Sequence, residues 1–345
     1  MSDELIAITV LWGFVFIYSV MATMDFGAGF WSMIYINRQK TNATTIANRY
    51  LSPTWEVTNV FIVAIVVALF SFFPGAAYTL GTVLLIPGSI ILMLLAIRSA
   101  FLVFSHIAKE YEKMLTYISG VSGILIPGLL ISVLPITHGQ FVEFSEGSQS
   151  LKLTELLLSP NFYAFFGFAV TSSLFLSSLL LADYSKQAGA WVAYDVYRRD
   201  ASFLGPASFF SAFVIMITLR VEANWIFTKM MEDFLLLVFS GACFVIAGLA
   251  LLVPTDKKGV KGYPRLAVIS IILQYLLASY VYGKAHLPYI VYPEVTVESG
   301  FTDPASFKAV FITYIVGFSI LFPGFFYFWK LFMRDLKHSS QNTQE

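Results

Sequence analysis

Residues 5–35 read LIAITVLWGFVFIYSVMATMDFGAGFWSMIY and carry a single charge, Asp25. A hydrocarbon core of about 30 Å needs roughly 20 apolar residues as an α-helix. This run is longer than that, and it sets the reading of the rest of the chain. Of the 345 residues 58% are apolar, 17% aromatic and 12% charged, whereas soluble domains carry about 25% charge. Too few polar side chains exist to cover a water-soluble globule of this size. The 21 basic and 21 acidic residues cancel and form no isolated basic block, which argues against nucleic acid as a partner. Long apolar runs holding 34 Phe and 18 Tyr argue against disorder. One cysteine leaves no disulfide framework, iron–sulfur cluster or Cys-rich zinc site. The predicted fold class is an all-α polytopic membrane protein.

Eight further runs follow: Val57–Phe73, Thr79–Phe104, Leu115–Pro135, Phe162–Tyr184, Phe203–Val221, Phe234–Val253, Leu266–Gly283 and Val310–Phe332. The sequence thus predicts nine transmembrane helices. The ten-residue alternation of barrel strands is absent. The acidic start Met1-Ser2-Asp3-Glu4, with the length of the first run, argues against a cleaved signal peptide. Fifteen of the 21 basic residues, among them Arg38, Lys40, Arg49, Lys113, Lys186, Arg199 and Lys257, fall after odd-numbered runs. The other loops hold Lys152, Arg220, Lys229, Lys284 and Lys308 and most of the acids. By the positive-inside rule the N-terminus is expected outside and the C-terminus in the cytoplasm.

The polar stretch at about Ile136–Asn161 divides the chain, and the fifth run enters from the same side as the first. This predicts two parallel four-helix bundles plus one peripheral helix. The expected units are residues 1–140 and 162–284, with extracytoplasmic loops at 141–161 and 285–309. The ninth helix is expected at 310–333 and a cytoplasmic tail at 334–345. The one echo between the halves is Ala22-Thr23-Met24-Asp25-Phe26 against Leu181-Ala182-Asp183-Tyr184. Pro74-Gly75 reads as a turn between the second and third helices. Pro87-Gly88, Pro127-Gly128 and Pro323-Gly324 fall inside runs and predict kinks.

Charges at membrane depth are costly and mark function. Asp25 lies late in the first helix, Glu56 opens the second on the same side, and Arg98 lies late in the third. Three consecutive helices thus bring an Asp, a Glu and an Arg to similar depth, with Thr58 and Asn59 one step beyond Glu56. In this arrangement Arg98 neutralises one carboxylate and leaves the other to exchange protons. The plainer reading has Glu56 favoured at a helix N-terminus and Arg98 snorkelling to the interface. Asp183 reads as interfacial. The four histidines (His106, His138, His286 and His338) sit at helix ends, in or beside loops or in the tail, with no HxxH or ExxH spacing. The chain is therefore expected to bind no haem and no metal of its own. Gly27-Ala28-Gly29 lies on a membrane helix and lacks the flanking pattern of a nucleotide loop.

Met24-Asp25-Phe26-Gly27-Ala28-Gly29 resembles the Gly-Phe-Asp-Phe-Gly-x-Gly signature in the first helix of subunit II of cytochrome bd-type quinol oxidases. Asn48-Arg49-Tyr50-Leu51-Ser52-Pro53-Thr54-Trp55-Glu56 is similar to the segment leading to that family's Trp-Asp/Glu pair. Arg98 matches a family arginine, and Tyr327-Phe328-Trp329-Lys330 resembles the close of the last helix. The resemblance covers nearly the whole chain in length and helix count, and the first hundred residues carry its specific motifs. Departures occur at Val57-Thr58-Asn59, at Phe61 where the family has Trp, and at Val103 where it has an acid.

The resemblance implies a subunit of a terminal oxidase that oxidises quinol and reduces oxygen to water in the plasma membrane of a bacterium. It implies that a partner, subunit I, holds the quinol site, two b-type haems and one d-type haem. It implies that this chain stabilises that partner and contributes a cytoplasmic proton path, formed by Asp25, Glu56, Thr58 and Asn59. Arg98 is then a structural ion pair, Phe26, Gly27, Gly29 and Trp55 are motif residues, and no residue here is catalytic. Further expected partners are quinone, membrane lipids and a small single-helix subunit. The rival reading is a secondary transporter whose coupling ion binds Asp25, Glu56 and Arg98.

Overall fold

The structure, a computed structural model, describes residues 2–105, 109–145, 148–254 and 262–339. The side chains of residues 49–56 and 328–339, among others, lie outside that description. The chain is mostly helical. In order come α1 (Asp3–Tyr35), α2 (Ala43–Phe72), α3 (Pro74–Val83), α4 (Leu85–Ser105), α5 (Glu112–Ile131) and α6 (Val133–Thr137). A hairpin of β1 (Val142–Ser145) and β2 (Ser148–Leu151) precedes α7 (Leu153–Leu158), α8 (Pro160–Gln187) and α9 (Trp191–Glu222). Then follow α10 (Asn224–Glu232), α11 (Phe234–Leu252), α12 (Pro264–His286), β3 (Tyr289–Val291), β4 (Val295–Thr296), α13 (Val297–Gly300) and α14 (Pro304–Ser339).

Among the described residues, seven helices are long and apolar enough to cross a membrane: α1, α5 with α6, α8, α9, α11, α12 and the Pro304–Tyr327 part of α14. The expected second and third spans differ from simple rods. Val57–Phe72 and Pro74–Val83 meet at a bend of 119°, and the apolar stretch Leu85–Phe101 is shorter than a full span. The run Thr79–Phe104 is therefore divided at Leu84 rather than forming one helix. Proline chemistry explains both breaks. The residue before a proline is pushed out of the α region, and Phe73 takes φ −132°, ψ 63°. Pro74, expected in a turn, instead opens α3, where its missing N–H costs nothing. Pro87 falls in the first turn of α4 and so does not kink a helix interior. Pro127 and Pro323 do lie inside helices.

A similar break in backbone angles separates α9 from α10. Ala223 ends α9 at φ −135°, ψ 55°, and α10 begins at once with Asn224. Leu84 (φ −90°, ψ 10°) and Asp233 (φ −102°, ψ 31°) then close the two short helices in the same way.

Helix α1 is the hub: it packs against α2, α5 and α8, while α8 packs against α9, α5 and α12. Lipid tails are as apolar as leucine, so close backbone approach rather than water expulsion holds such helices together. Small residues supply that approach, as where Gly120 of α5 meets the Met33 side chain of α1. α14 lies against α1 and α2 through aromatic rings, with Phe14–Tyr314 centroids 5.2 Å apart and Phe72–Phe307 centroids 5.1 Å apart. Tyr314 also donates its hydroxyl to the Ala64 carbonyl at 2.9 Å.

Candidate functional site

The site is built where α1, α4 and α5 meet. Asp25 and Arg98 are both buried, at 6% and 2% exposure, so Arg98 does not snorkel. Its Nη2 lies 3.6 Å from Asp25 Oδ1 and donates to the Asp25 backbone carbonyl at 2.7 Å. Nη1 donates to Ser119 Oγ at 3.0 Å and to the Ser119 carbonyl. The guanidinium also stands 5.2 Å over the Phe26 ring. A buried cation in an apolar span needs such partners, because desolvation otherwise outweighs its Coulomb gain.

Two glycines make the socket. A Cβ on Gly29 would lie 2.7 Å from Ser119 Oγ and 2.9 Å from Arg98 Nη1. A Cβ on Gly123 of α5 would lie 2.4 Å from the Phe26 carbonyl oxygen. The Asp25-Phe26-Gly27-Ala28-Gly29 motif thus has a physical meaning: carboxylate, ring under the cation, and space for it one turn later.

Chemically the pair is loose. A charge-assisted Arg–carboxylate hydrogen bond runs at about 2.7–2.9 Å, shorter than the distance observed here. Arg98 gives its N–H groups to carbonyls and Ser119, and Asp25 Oδ1 is buried with no hydrogen-bond donor. Such an oxygen, neutralised in charge but unfilled as an acceptor, is able to take a proton.

The α1–α2 register bears on Glu56. Ser32 Oγ donates to Asn48 Oδ1 at 2.6 Å. In an antiparallel pair, seven residues back from Ser32 is Asp25 and seven on from Asn48 is Trp55. The backbone of Trp55 and Glu56 therefore runs level with Asp25. α2 starts at Ala43, so Glu56 is inside a helix and does not cap one. The side chains of Trp55 and Glu56 lie outside the described residues. Thr58 is buried, Asn59 and Val57 are half-buried, and Val103, in place of a family acid, is exposed.

Several polar groups escaped the sequence reading. Ser119 was one serine among many. Asp200, which no sequence pattern singles out, lies on α9 and accepts a hydrogen bond from Tyr35. Asp183 accepts from Gln187 at 2.6 Å and Arg265 at 3.4 Å. His138, in the turn after α6, and His286, the last residue of α12, lie beside loops as expected, and both are packed against other side chains. His138 is 2% exposed, with Nε2 2.7 Å from Tyr282 Oη and Nδ1 3.2 Å from Asn161 Nδ2. Burial, with nearby His286 adding to it, holds the His138 imidazole well below its ordinary pKa and so neutral. His286 Nδ1 donates to the Tyr289 carbonyl at 2.9 Å. His106 and the His338 side chain lie outside the described residues. Among the described residues no cluster of three or more His, Cys, Asp or Glu is placed to hold a metal ion.

Comparison with known proteins assigns the chain. Residues 4–332 match the family described as cytochrome bd terminal oxidase subunit II. A Bacillus subtilis (strain 168) protein, "Putative cytochrome bd menaquinol oxidase subunit II", is 63% identical over 341 residues, covering 99% of this chain and 98% of that protein. A chain of the bd oxidase structure from Geobacillus thermodenitrificans is 35% identical, with a TM-score of 0.81 over 96% of this chain and 99% of that one. These relatives lend the transporter reading no support. The chain belongs to the cytochrome bd terminal oxidase subunit II family, and is thus a subunit of a bd-type quinol oxidase.

Proposed function

We propose that this chain is the proton-conducting, non-haem-ligating subunit of its oxidase. In this reading it buttresses a haem-bearing subunit I and carries cytoplasmic protons toward it through Asp25, with Glu56, Thr58 and Asn59 continuing the path. Arg98 is the structural counter-charge. The observation that carries the reading is the buried Asp25 carboxylate, paired to Arg98 yet with an open acceptor oxygen. Reduction of oxygen to water consumes protons, so a membrane-buried proton acceptor is what the reaction requires.

The two b-type haems, the d-type haem and the quinol site belong in this reading to subunit I. Of the two histidines whose side chains are described, His138 has both ring nitrogens engaged by neighbours. His286, with Nε2 unpaired, lies at the end of α12 packed against the rings of Trp225 and Tyr282. The menaquinol in the Bacillus relative's name supports menaquinol as the electron donor. A small single-helix subunit and lipids complete the complex in the bacterial plasma membrane. The proposed topology has nine spans, α3 and α4 together forming the third, with the N-terminus outside and the C-terminus cytoplasmic. The matching breaks at Phe73 and Ala223 support two four-helix units at 1–140 and 162–284.

The test is the affinity-purified complex. Haem bands and quinol-dependent oxygen uptake are expected. Asp25→Asn and Glu56→Gln should slow uptake while the haem spectrum survives. Normal turnover in both variants at every pH would remove the proton path and leave only the buttressing role.

A further inference from the structure

We infer that the proton path to Asp25 opens to the basic face of the protein at Asn48 and Ser32. This rests on the proton-path reading above and adds its mouth.

Tyr18, Asp25 and Ser32 recur every seven residues, and such positions drift only about 20° per heptad around a helix. They therefore share one face of α1. Ser32 lies about 10 Å along the axis from Asp25, toward the end of α1 that is followed by Arg38 and Lys40. It is 1% exposed, whereas Asn48, which accepts its hydroxyl proton at 2.6 Å, is exposed. This pair thus joins a surface amide to a buried hydroxyl. Thr44 Oγ1 donates to the Ser32 carbonyl at 3.1 Å and fixes the α2 start against this turn. Between Ser32 and Asp25 the same face carries Gly29, whose missing side chain leaves Ser119 Oγ and the Arg98 nitrogens at the helix surface. Hydroxyl, guanidinium and carboxylate thus follow one another along a single stripe. In the proposed transfer Ser32 Oγ accepts a proton from the Asn48 side as its own hydroxyl proton turns inward to Ser119 Oγ, which passes its own to the Asp25 carboxylate. Both serines stay neutral, the carboxylate ends protonated, and Arg98, a donor only, takes no part in the relay.

The neighbouring acid, Asp200, looks like a better antenna but faces an aromatic seam. Tyr35, its partner, sits on the side of α1 that meets α8 and α9. There Trp31 Nε1 donates to Ser177 Oγ at 3.0 Å, and Trp31 stacks at 6.1 Å on Tyr35 and packs edge-on at 6.2 Å on Tyr197. One turn deeper, a Cβ on Gly27 would lie 2.0 Å from Ser177 Oγ. What separates the two faces is polar lining: the seam toward Asp200 is walled by the Trp31, Tyr35 and Tyr197 rings, whereas the Ser32–Asp25 stripe carries Ser119 Oγ.

The experiment uses the intact oxidase complex, reduced and mixed with oxygen, with proton uptake followed by a pH dye and haem oxidation followed optically. Ser32→Ala and Asn48→Leu should slow proton uptake by roughly two- to tenfold, the equivalent of one hydrogen bond. The first, electron-transfer phase should keep its rate. Ser32→Thr should restore uptake, and Asp200→Asn should leave it unchanged. If Ser32→Ala lowers haem content, Asn48→Leu, altered only at an exposed side chain, decides. Normal uptake in Asn48→Leu and Ser32→Ala with slowed uptake in Asp25→Asn overturns the mouth and keeps the path. Slowed uptake in Asp200→Asn with normal uptake in Asn48→Leu moves the mouth to the α1–α9 side. Normal uptake in Asp25→Asn overturns the path itself.

Discussion

Arg98 sits 3.6 Å from the Asp25 carboxylate but donates at 2.7 Å to that same residue's backbone carbonyl. The cation is thus anchored to the α1 backbone, and the carboxylate is held by charge rather than by a hydrogen bond. Each group's removal should therefore have a different consequence. Arg98→Ala strands a buried carboxylate, and breaking one side of a buried pair costs about 3–5 kcal/mol. The yield of haem-loaded complex should fall sharply. Asp25→Asn also leaves a lone charge, but Arg98 keeps its acceptors at the residue-25 backbone carbonyl and at Ser119, so its complex should assemble in higher yield than that of Arg98→Ala. The double variant Asp25→Asn with Arg98→Gln should recover more assembled complex than Arg98→Ala, because no lone charge remains. Equal losses in the single and double variants would show that Arg98 acts through packing alone.

The socket glycines offer a graded test. A methyl on Gly29 meets the ends of Arg98 and Ser119 side chains, which can shift. A methyl on Gly123 meets the Phe26 backbone carbonyl at 2.4 Å, which can move only if α1 and α5 part. Overpacking of this kind costs about 1–3 kcal/mol. Gly123→Ala should lower the thermal midpoint of the complex more than Gly29→Ala, whereas Gly29→Ala should slow turnover more per assembled complex. Thermal melts and oxygen uptake on the same preparations separate the two effects.

These contrasts mark what was legible in the sequence. Asp25 and Arg98 stood out because a charge inside an apolar run has few harmless explanations, and the structure brings them together. Ser119 and Ser32 did not, because serine satisfies its hydroxyl on its own helix in most spans, as Ser122 does on the Ile118 carbonyl. The break at Phe73 had a signal, Pro74, although it was read as a turn rather than a bent start of a new helix. The matching break at Ala223 had none, since Asn224 follows it, and only the backbone angles reveal it. His138 does lie beside a loop, as its place in the sequence implies, but nearness to a loop says nothing about what packs over it. Tyr282 and Asn161 come from α12 and α8, far along the chain.

That buried imidazole predicts a pH dependence. His138 is neutral in the fold, its pKa lowered from 6.5 by burial, while in the unfolded chain it titrates normally. Below about pH 6.5 the unfolded state therefore binds the extra proton, and stability declines as pH falls. The slope from this one group is at most about 1.4 kcal/mol per pH unit. Thermal melts of the purified complex at mildly alkaline and mildly acidic pH should show a drop that His138→Gln reduces. An equal drop in the variant would assign the acid sensitivity elsewhere.

The α1–α8 crossing gives the strictest steric prediction. Gly27 faces Ser177 so closely that an added Cβ would lie 2.0 Å from its Oγ and 2.2 Å from its Cβ. Gly27→Ala should therefore prevent normal assembly, and Ser177→Ala cannot relieve it, because the serine Cβ remains. Ser177→Gly removes both atoms but also removes the acceptor of Trp31 Nε1. An unsatisfied buried donor costs about 1–3 kcal/mol, so Ser177→Gly alone should be mildly destabilised. The double variant Gly27→Ala with Ser177→Gly should recover haem-loaded complex relative to Gly27→Ala, while remaining below the parent chain. A double variant no better than Gly27→Ala would mean that the Ser173 carbonyl, 3.3 Å from the added methyl, also forbids the approach. Haem content per purified complex, measured for the three variants side by side, reads the rescue directly.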